Sequence, residues 1–349
     1  MPQVQMMLPE RIENVEHLEE LLSEPTDGVI DTLARLPGDL IVLGVGGKMG
    51  PTLARMARRA SDAAGTRRRV IGVSRFSDGG LEERLHAHGI ETVRCDLLDQ
   101  GQLDRLPEVP NVVYMTGMKF GAAGQQARTW AMNCYLPGMV CSKFRRSRIV
   151  AFSTGNVYPL TPAQHGGSRE GDALGPVGEY AMTSVGRERI CEHFSRMLTL
   201  PLALLRLNYA TELRYGVLVD LALKVQAGQE VDLAMGCFNA LWQADANAMA
   251  LRAFDHLASP PFVVNLAGPE LLSVRRVAEE FGQLLGRPVA FRGSEAADAL
   301  LSNGQLGHRL FGYPRVSAGQ MIRWIADWVR RGGANLGKPT HFEVRDGQF

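Results

Sequence analysis

Four glycines, at positions 44, 46, 47 and 50, crowd the segment Ile41-Val-Leu-Gly-Val-Gly-Gly-Lys-Met-Gly50. An apolar run, Leu40 to Leu43, precedes them, and a helix-like run, Thr52 to Arg59, follows. Such spacing suits an anion held by backbone. Gly44 permits a tight turn, Gly46 and Gly47 let backbone approach a phosphate, and Gly50 lets a helix pack on a strand. The helix N-terminus adds N–H groups and the positive end of a dipole. Pro51 fits the first helical turn, where its missing N–H costs nothing. A lone glycine fingerprint is weak, but the strand before it and the helix after it predict a cradle for a dinucleotide pyrophosphate. Its residues are Gly44, Gly47, Lys48, Met49 and Gly50.

The elements that must position this loop follow from periodicity. Strands are expected at Val70–Ser74, Thr92–Asp96, Asn111–Gly117, Arg148–Thr154, Ala203–Asn208 and Val263–Ala267. Between them fall helical patterns at Leu81–His88, from about Gln125 to Arg145, and from about Glu179 to Met197. Strands alternating with helices imply an α/β fold, a doubly wound parallel Rossmann sheet with a smaller C-terminal substrate-binding lobe. That lobe is expected to include helices at Val274–Leu285 and Ala318–Arg330. Before the sheet, Ile12, Val15, Leu18, Leu21 and Leu22 recur at helical spacing, and a second short helix spans Val29 to Leu36. The expected organisation is a helical extension over 1–38, the dinucleotide domain over 39–210, and a lobe over 211–331 that partly returns to the first domain. A polar, aromatic tail without periodicity covers 332–349.

The chain has 349 residues, enough for two lobes around a cleft. Lysine plus arginine number 38 and aspartate plus glutamate 37, a balance that argues against nucleic-acid and basic membrane surfaces. No apolar stretch reaches transmembrane length, and Met1 to Glu24 lacks a signal-peptide pattern. The five cysteines, at 95, 134, 141, 191 and 237, have no metal spacing. They read as reduced thiols of a cytoplasmic protein with no metal site.

The order of polar signals resembles the extended short-chain dehydrogenase/reductase family, which includes NAD-dependent epimerases and dehydratases, over roughly Leu40 to Arg330. Gly44, Gly47 and Gly50 match its G-x-x-G-x-x-G, and Asp96-Leu97 its adenine-contacting D-L. Asn133 matches an asparagine of the fourth helix, and Phe152-Ser-Thr-Gly-Asn-Val-Tyr158 is similar to S-S-x-x-V-Y. The resemblance places Thr154 and Tyr180 at the catalytic Ser/Thr and tyrosine positions. Leu205-Arg206-Leu207-Asn208 is similar to the family's L-R-x-x-N stretch bordering the substrate, and Asp245 to the aspartate of its later D-x-x-x-A segment. The implied chemistry is hydride transfer at a carbinol carbon, which also requires loss of the hydroxyl proton. Tyr180 would take that proton and Thr154 would hold the oxygen.

One departure bears on that chemistry. The family motif is Y-x-x-x-K, but this chain reads Tyr180-Ala-Met-Thr-Ser184. A free tyrosine has a pKa near ~10, so a strong tyrosine base needs a neighbouring cation. Lys119, in Thr116-Gly117-Met118-Lys119 after the fourth strand, is the preferred substitute, because this loop borders the cofactor in the family. Arg187, one turn beyond Ser184, is the other candidate. Thr116 and Gly117 join the expected cofactor contacts. The second strand ends in Ser74-Arg75 rather than in an aspartate, which favours NADP over NAD, although Asp78 is close enough to bind a ribose.

For the substrate, Gly155-Asn156 stands where 4,6-dehydratases carry an Asp-Glu pair, and Phe238-Asn239 where nucleotide-sugar epimerases carry a pyrophosphate-clamping arginine. With Asn239, Trp242 and Gln243 this suggests a smaller neutral or sugar-like ligand. Expected substrate contacts are Asn208, Asn156, Trp242, whose alternative is core packing, and His165 in a loop over the cleft. The expected activity is an NAD(P)-dependent oxidoreductase or epimerase acting on a sugar, sugar acid or related polyol or ketone. A nucleotide-sugar epimerase and a non-catalytic NADP-sensing protein are the alternatives. The helices at about 125–145 and 180–197 are expected to form a homodimer interface, as in the family.

Overall fold

Seven strands form one parallel sheet: β1 (Leu40–Leu43), β2 (Val70–Ser74), β3 (Glu91–Arg94), β4 (Asn111–Tyr114), β5 (Arg148–Thr154), β6 (Leu202–Leu207) and β7 (Phe262–Leu266). The computed structural model describes residues 8–77, 79–119 and 124–347. The strand order is β7-β6-β5-β4-β1-β2-β3. β1 pairs with β2 on one side and β4 on the other, in register Leu43↔Val73 and Leu43↔Tyr114. All four residues of β1 and of β4 are buried, as continuous apolar runs are when helices cover both faces of a parallel sheet. The winding reverses between β1 and β4, and at such a switch point a crevice opens beyond the strand ends.

The N-terminal extension is part of this framework. Helices α1 (Val15–Leu22) and α2 (Asp27–Arg35) are capped by the Asn14 and Thr26 side chains. They bury Leu18, Leu22, Val29 and Leu33 in the same core as α3 (Gly50–Ala63), the helix after the glycine loop. The buried Arg68 guanidinium donates to the Leu33 and Gly38 carbonyls, fastening the extension to the start of the sheet. Short helices α4 (Leu81–Ala87) and α5 (Gln100–Asp104) follow β2 and β3.

The expected single helix from Gln125 to Arg145 is α6 (Gln126–Trp130), a π-helical turn (Ala131–Tyr135) and α7 (Leu136–Lys143). Periodicity alone does not register one extra residue per turn, and Pro137 at the start of α7 removes a backbone donor there. The long helix α8 (Gly178–Leu198) packs beside this composite helix. After β6 come α9 (Val217–Gln226), α10 (Gln243–Arg252), α11 (Val274–Leu285), α12 (Gln305–Phe311) and α13 (Ala318–Arg330), with two-residue strand pairs such as Cys237–Phe238 on Leu272–Ser273; α9, α11 and α13 pack together, whereas α10 packs on α2 and α3 and α12 on β7. No helix among the described residues is long and apolar enough to cross a membrane.

The tail after α13 is built into the fold although its described residues form no helix or strand. Phe342 is 1% exposed and packs on Phe238. Asp220 of α9 accepts from both the backbone N–H and the hydroxyl of Thr340, at 2.7 and 2.6 Å. Lys224 pairs with Glu343, and Arg345 bonds to the Ala234 carbonyl and to Asp298.

Candidate active site

The turn expected at Gly44 and the close helix packing expected at Gly50 are both present. Gly44 has φ +92°, and a Cβ there would press on Thr116 Oγ1 at 2.7 Å. At Gly50 a Cβ would collide with the Val45 carbonyl, so this glycine lets α3 sit against the loop. At Gly46 it would meet Ser74 Oγ at 2.5 Å. Gly47 differs: its Cβ would meet only the Gly44 carbonyl, at 3.4 Å. Nothing among the described residues requires glycine at 47, which lines the cleft. Thr116 Oγ1 is buried beside the loop without a hydrogen-bond partner. An open cradle with an orphaned hydroxyl at its edge fits a bound dinucleotide phosphate.

A cavity of about 610 Å³ extends from this loop across the ends of β4, β5 and β6. Its walls include Gly44, Gly47, Lys48, Met49, Gly117 and Lys119, with Thr154, Asn156, Tyr180 and Asn208 opposite. The expected catalytic trio therefore converges. β5 delivers Thr154, the first turn of α8 delivers Tyr180, and the turn after β4 delivers Lys119. Lys119 Nζ lies 5.7 Å from the centroid of the Tyr180 ring. It donates to the Thr340 carbonyl at 3.5 Å, so the tail helps hold it. Burial pushes the Lys119 ammonium down to about 8, partly opposed by Asp220. Thr154 Oγ1 donates to Asn156 Oδ1 at 3.0 Å.

The position that the family gives to lysine holds Ser184, which is fully buried and donates to the Tyr180 carbonyl within the helix. Arg187 reaches the cavity wall behind Gly117, where it donates to the Phe152 carbonyl and to Asn133 Oδ1, both at 2.8 Å. Asn133 sits in the π-helical turn. Its side chain accepts from Met118 N–H and donates to the Met118 carbonyl and to Thr183. The extra residue of that turn aims Asn133 at the backbone that carries Gly117 to Lys119. Asn133 acts here as the brace of the Lys119 loop.

Other expected contacts distribute unevenly. Ser74 stands beside the glycine loop, and the exposed Arg75 follows it at the rim. Asp96 turns its carboxylate onto the Leu98 N–H, and Leu97 is buried. Asp78 lies outside the described residues. Asn208 is in the cavity wall and donates to Asn239. Arg206, its neighbour in the same stretch, turns away into a buried pair with Glu188 at 2.7 Å. Trp242 does not reach the cavity: it is 2% exposed and its ring lies 5.5 Å from that of Trp324, the core-packing alternative. His165 is exposed in a 3-10 turn and is not a lining residue. Tyr215, Lys338 and Thr340 line the cavity without having been expected there. They come from an irregular loop and from the aperiodic tail, where periodicity carries no signal.

Lys48 Nζ sits 3.2 Å from the centroid of the Tyr215 ring. Burial, then Lys338 and Lys119, push its ammonium down to about 7 from an ordinary 10.5. Between those values the unfolded chain holds a proton that the native chain has lost, so this group makes stability rise with pH over that window. Lys48→Met should therefore stabilise the cofactor-free protein at pH 7, by about 1–2 kcal/mol given its partial exposure. Thermal melts should show the gain shrinking as pH approaches 10.5; equal melting temperatures at pH 7 would contradict it.

The architecture is that of NAD-binding epimerases and dehydratases. The chain is similar in structure to UDP-glucuronic acid 4-epimerase from Bacillus cereus in complex with NAD, with a TM-score of 0.70, 15% identity, and coverage of 84% of this chain and 97% of that one. It is also similar to dTDP-glucose 4,6-dehydratase from Bacillus anthracis in complex with NAD (TM-score 0.70, 14% identity, 84% and 97% coverage). UDP-glucose 4-epimerase from Thermotoga maritima gives a TM-score of 0.67 at 16% identity, with 84% and 99% coverage. At these identities the likeness establishes the fold. No protein-family profile matches the sequence, and no curated protein sequence matches it significantly.

Proposed function

We propose that this protein is an NAD(P)-dependent enzyme that interconverts a carbinol and a carbonyl on a small carbohydrate or related polyol. The observation that carries this reading is the meeting of Thr154, Tyr180 and Lys119 in one cavity above the glycine loop. A bound nicotinamide nucleotide would supply the hydride acceptor, held at Gly44, Gly47 and Met49 with Asp96 and Leu97 toward the adenine. Tyr180 takes the hydroxyl proton as the carbinol carbon is oxidised and returns it on reduction. Thr154 holds the reacting oxygen, and Asn156 and Asn208 hold neighbouring hydroxyls. Lys119 supplies the positive charge that favours the tyrosinate. A purely sensory protein would not need these three side chains together. The Ser184 departure supports a relocated cation, since Lys119 reaches Tyr180 from the other wall.

The first test is the nucleotide that co-purifies and its redox state. Oxidised cofactor that survives purification supports an epimerase, and freely exchanging cofactor supports a dehydrogenase. Failure of cofactor-free protein to bind either NAD or NADP would overturn the reading. The structural neighbours named above were solved with NAD or a nucleotide sugar, which favours NAD and keeps the nucleotide-sugar epimerase as the second reading. Arg75 at the rim favours NADP. Arg75→Asp should shift the affinity ratio toward NAD by about tenfold or more; an unchanged ratio in calorimetry removes the argument for NADP.

We further propose a homodimer through α6–α7 and α8. Trp130, Tyr135 and Met182 on these helices are 43%, 63% and 40% exposed, whereas Met139 is buried within the subunit. Light scattering should return twice the 38.2 kDa chain mass at micromolar concentration; a monomer contradicts the interface. Five free thiols accord with a reducing compartment such as the cytoplasm.

A further inference from the structure

One chain of hydrogen bonds fixes which way two asparagines, 208 and 239, turn their amides. Asn239 Nδ2 donates to the Ser302 carbonyl at 2.7 Å and to the Gly268 carbonyl at 3.1 Å. A carbonyl oxygen only accepts, so this end of the carboxamide must be its NH2. Asn239 Oδ1 is then left to face Asn208, whose Nδ2 donates to it at 2.7 Å. Turning either amide over would set oxygen against oxygen in a buried place, since Asn208 is 2% and Asn239 6% exposed.

The two carbonyls are themselves held by backbone. A Cβ on Gly268 would overlap the Ala240 carbonyl at 1.8 Å, so this glycine lets its peptide lie against the chain beside Asn239. Ser302 bridges to Ser168, with the Ser168 N–H donating to the Leu301 carbonyl and the Asn303 N–H to the Ser168 carbonyl. Asn208 lines the cavity with Thr154, Asn156 and Tyr180, whereas Asn239 is not a lining residue. The Asn208 carboxamide lies over Gly155, where a Cβ would come within 3.0 Å of Oδ1. That oxygen accepts from no described residue and is not sealed from solvent, so it stays open to the cavity.

We infer, resting on the hydride-transfer reading above, that Asn239 is a positioning residue that makes Asn208 a pure acceptor toward the substrate. The substrate group met there is a carbohydrate hydroxyl, a hydrogen-bond donor. A phosphate dianion or a carboxylate brings only acceptors, so it would meet the Asn208 oxygen with no bond to make. Asn239 therefore acts through Asn208 and not on the ligand itself. A hydroxyl beside Thr154 is the group by which the substrate is selected.

The test uses full-length protein saturated with whichever of NAD or NADP it binds. Calorimetry follows titration with glucose, galactose, mannose and xylose, at least one of which should bind. The monodeoxy and monodeoxyfluoro analogues of that sugar then locate the hydroxyl. At one position the deoxy analogue should bind about tenfold more weakly than the parent. The fluoro analogue, which keeps an acceptor and loses the donor, should bind no better than the deoxy one. Asn208→Ala and Asn239→Ala should each bring parent and deoxy analogue to nearly the same affinity, and the double variant should lose no more than Asn208→Ala alone. A merely structural loss would weaken both sugars alike and leave their ratio standing. Asn239→Ser, which keeps one donor for the two carbonyls, takes the place of Asn239→Ala if that variant does not fold. No binding by any of the four sugars, a fluoro analogue that binds as well as the parent, or an unchanged ratio in the Asn239 variant would each overturn the inference while leaving hydride transfer standing. A protein that binds neither nucleotide defeats both readings, so the two failures are distinguishable.

Discussion

Tyr180→Phe should lower turnover by about 10²–10⁴-fold, the range expected when a positioned proton-transfer group is lost, with nucleotide affinity nearly unchanged. The phenol is half-buried at the start of α8, in the wall that faces Thr154, and removing one oxygen leaves the ring to pack as before. The companion variant, Lys119→Met, separates proton transfer from its electrostatic support. Lys119 Nζ is 5.7 Å from the Tyr180 ring centroid, near enough for its charge to favour the tyrosinate. Without it, turnover should fall, and the change in rate that Lys119 deprotonation causes near pH 8 should vanish from the pH–rate profile. In the unaltered enzyme that support is itself lost as pH rises through about 8, where Lys119 gives up its proton. A Lys119→Met enzyme with normal turnover and an unmoved profile would pass the role to Arg187. A fully active Tyr180→Phe enzyme would remove Tyr180 from the chemistry.

Gly47→Val should abolish measurable binding of NAD and NADP, a loss of at least about 100-fold, while the protein stays folded. The contrast with its neighbours makes this a test of function. A side chain at Gly50 would strike the Val45 carbonyl and one at Gly44 would strike Thr116, so those variants would damage the loop itself. At Gly47 the first side-chain atom has ordinary clearance of 3.4 Å from the Gly44 carbonyl and projects into open cleft. Among the described residues nothing else meets it there, so a loss of binding would report on a ligand. Equal nucleotide affinity in a Gly47→Val variant with an unchanged melting temperature would place the pyrophosphate elsewhere.

Much of the framework was legible in the chain. β1, β2 and β5 begin and end at the residues their apolar runs mark, and α11 and α13 at the bounds their periodicity marks. Those segments bury a face in the hydrophobic core, so burial and sequence pattern are the same information. The glycine spacing likewise announced its loop, because only glycine tolerates φ +92° at 44 or the contact with Val45 at 50 without strain. The two-residue strand pairs left no such mark: a pairing as short as Cys237–Phe238 on Leu272–Ser273 is too brief for alternation to show.

By itself the sequence determined the parallel α/β sheet, the glycine cradle and the candidacy of Thr154, Tyr180 and Lys119, since these depend on local pattern and on residue type at fixed spacing. Only the tertiary structure decided which candidates meet. It sent Trp242 into the core against Trp324 and Arg206 to Glu188, and it left His165 on the surface. It also brought Lys338 and Thr340 to the cavity from the far end of the chain. The reason is physical: no periodicity encodes the tail, whose path is set by long-range anchors such as Phe342 on Phe238 and Thr340 on Asp220.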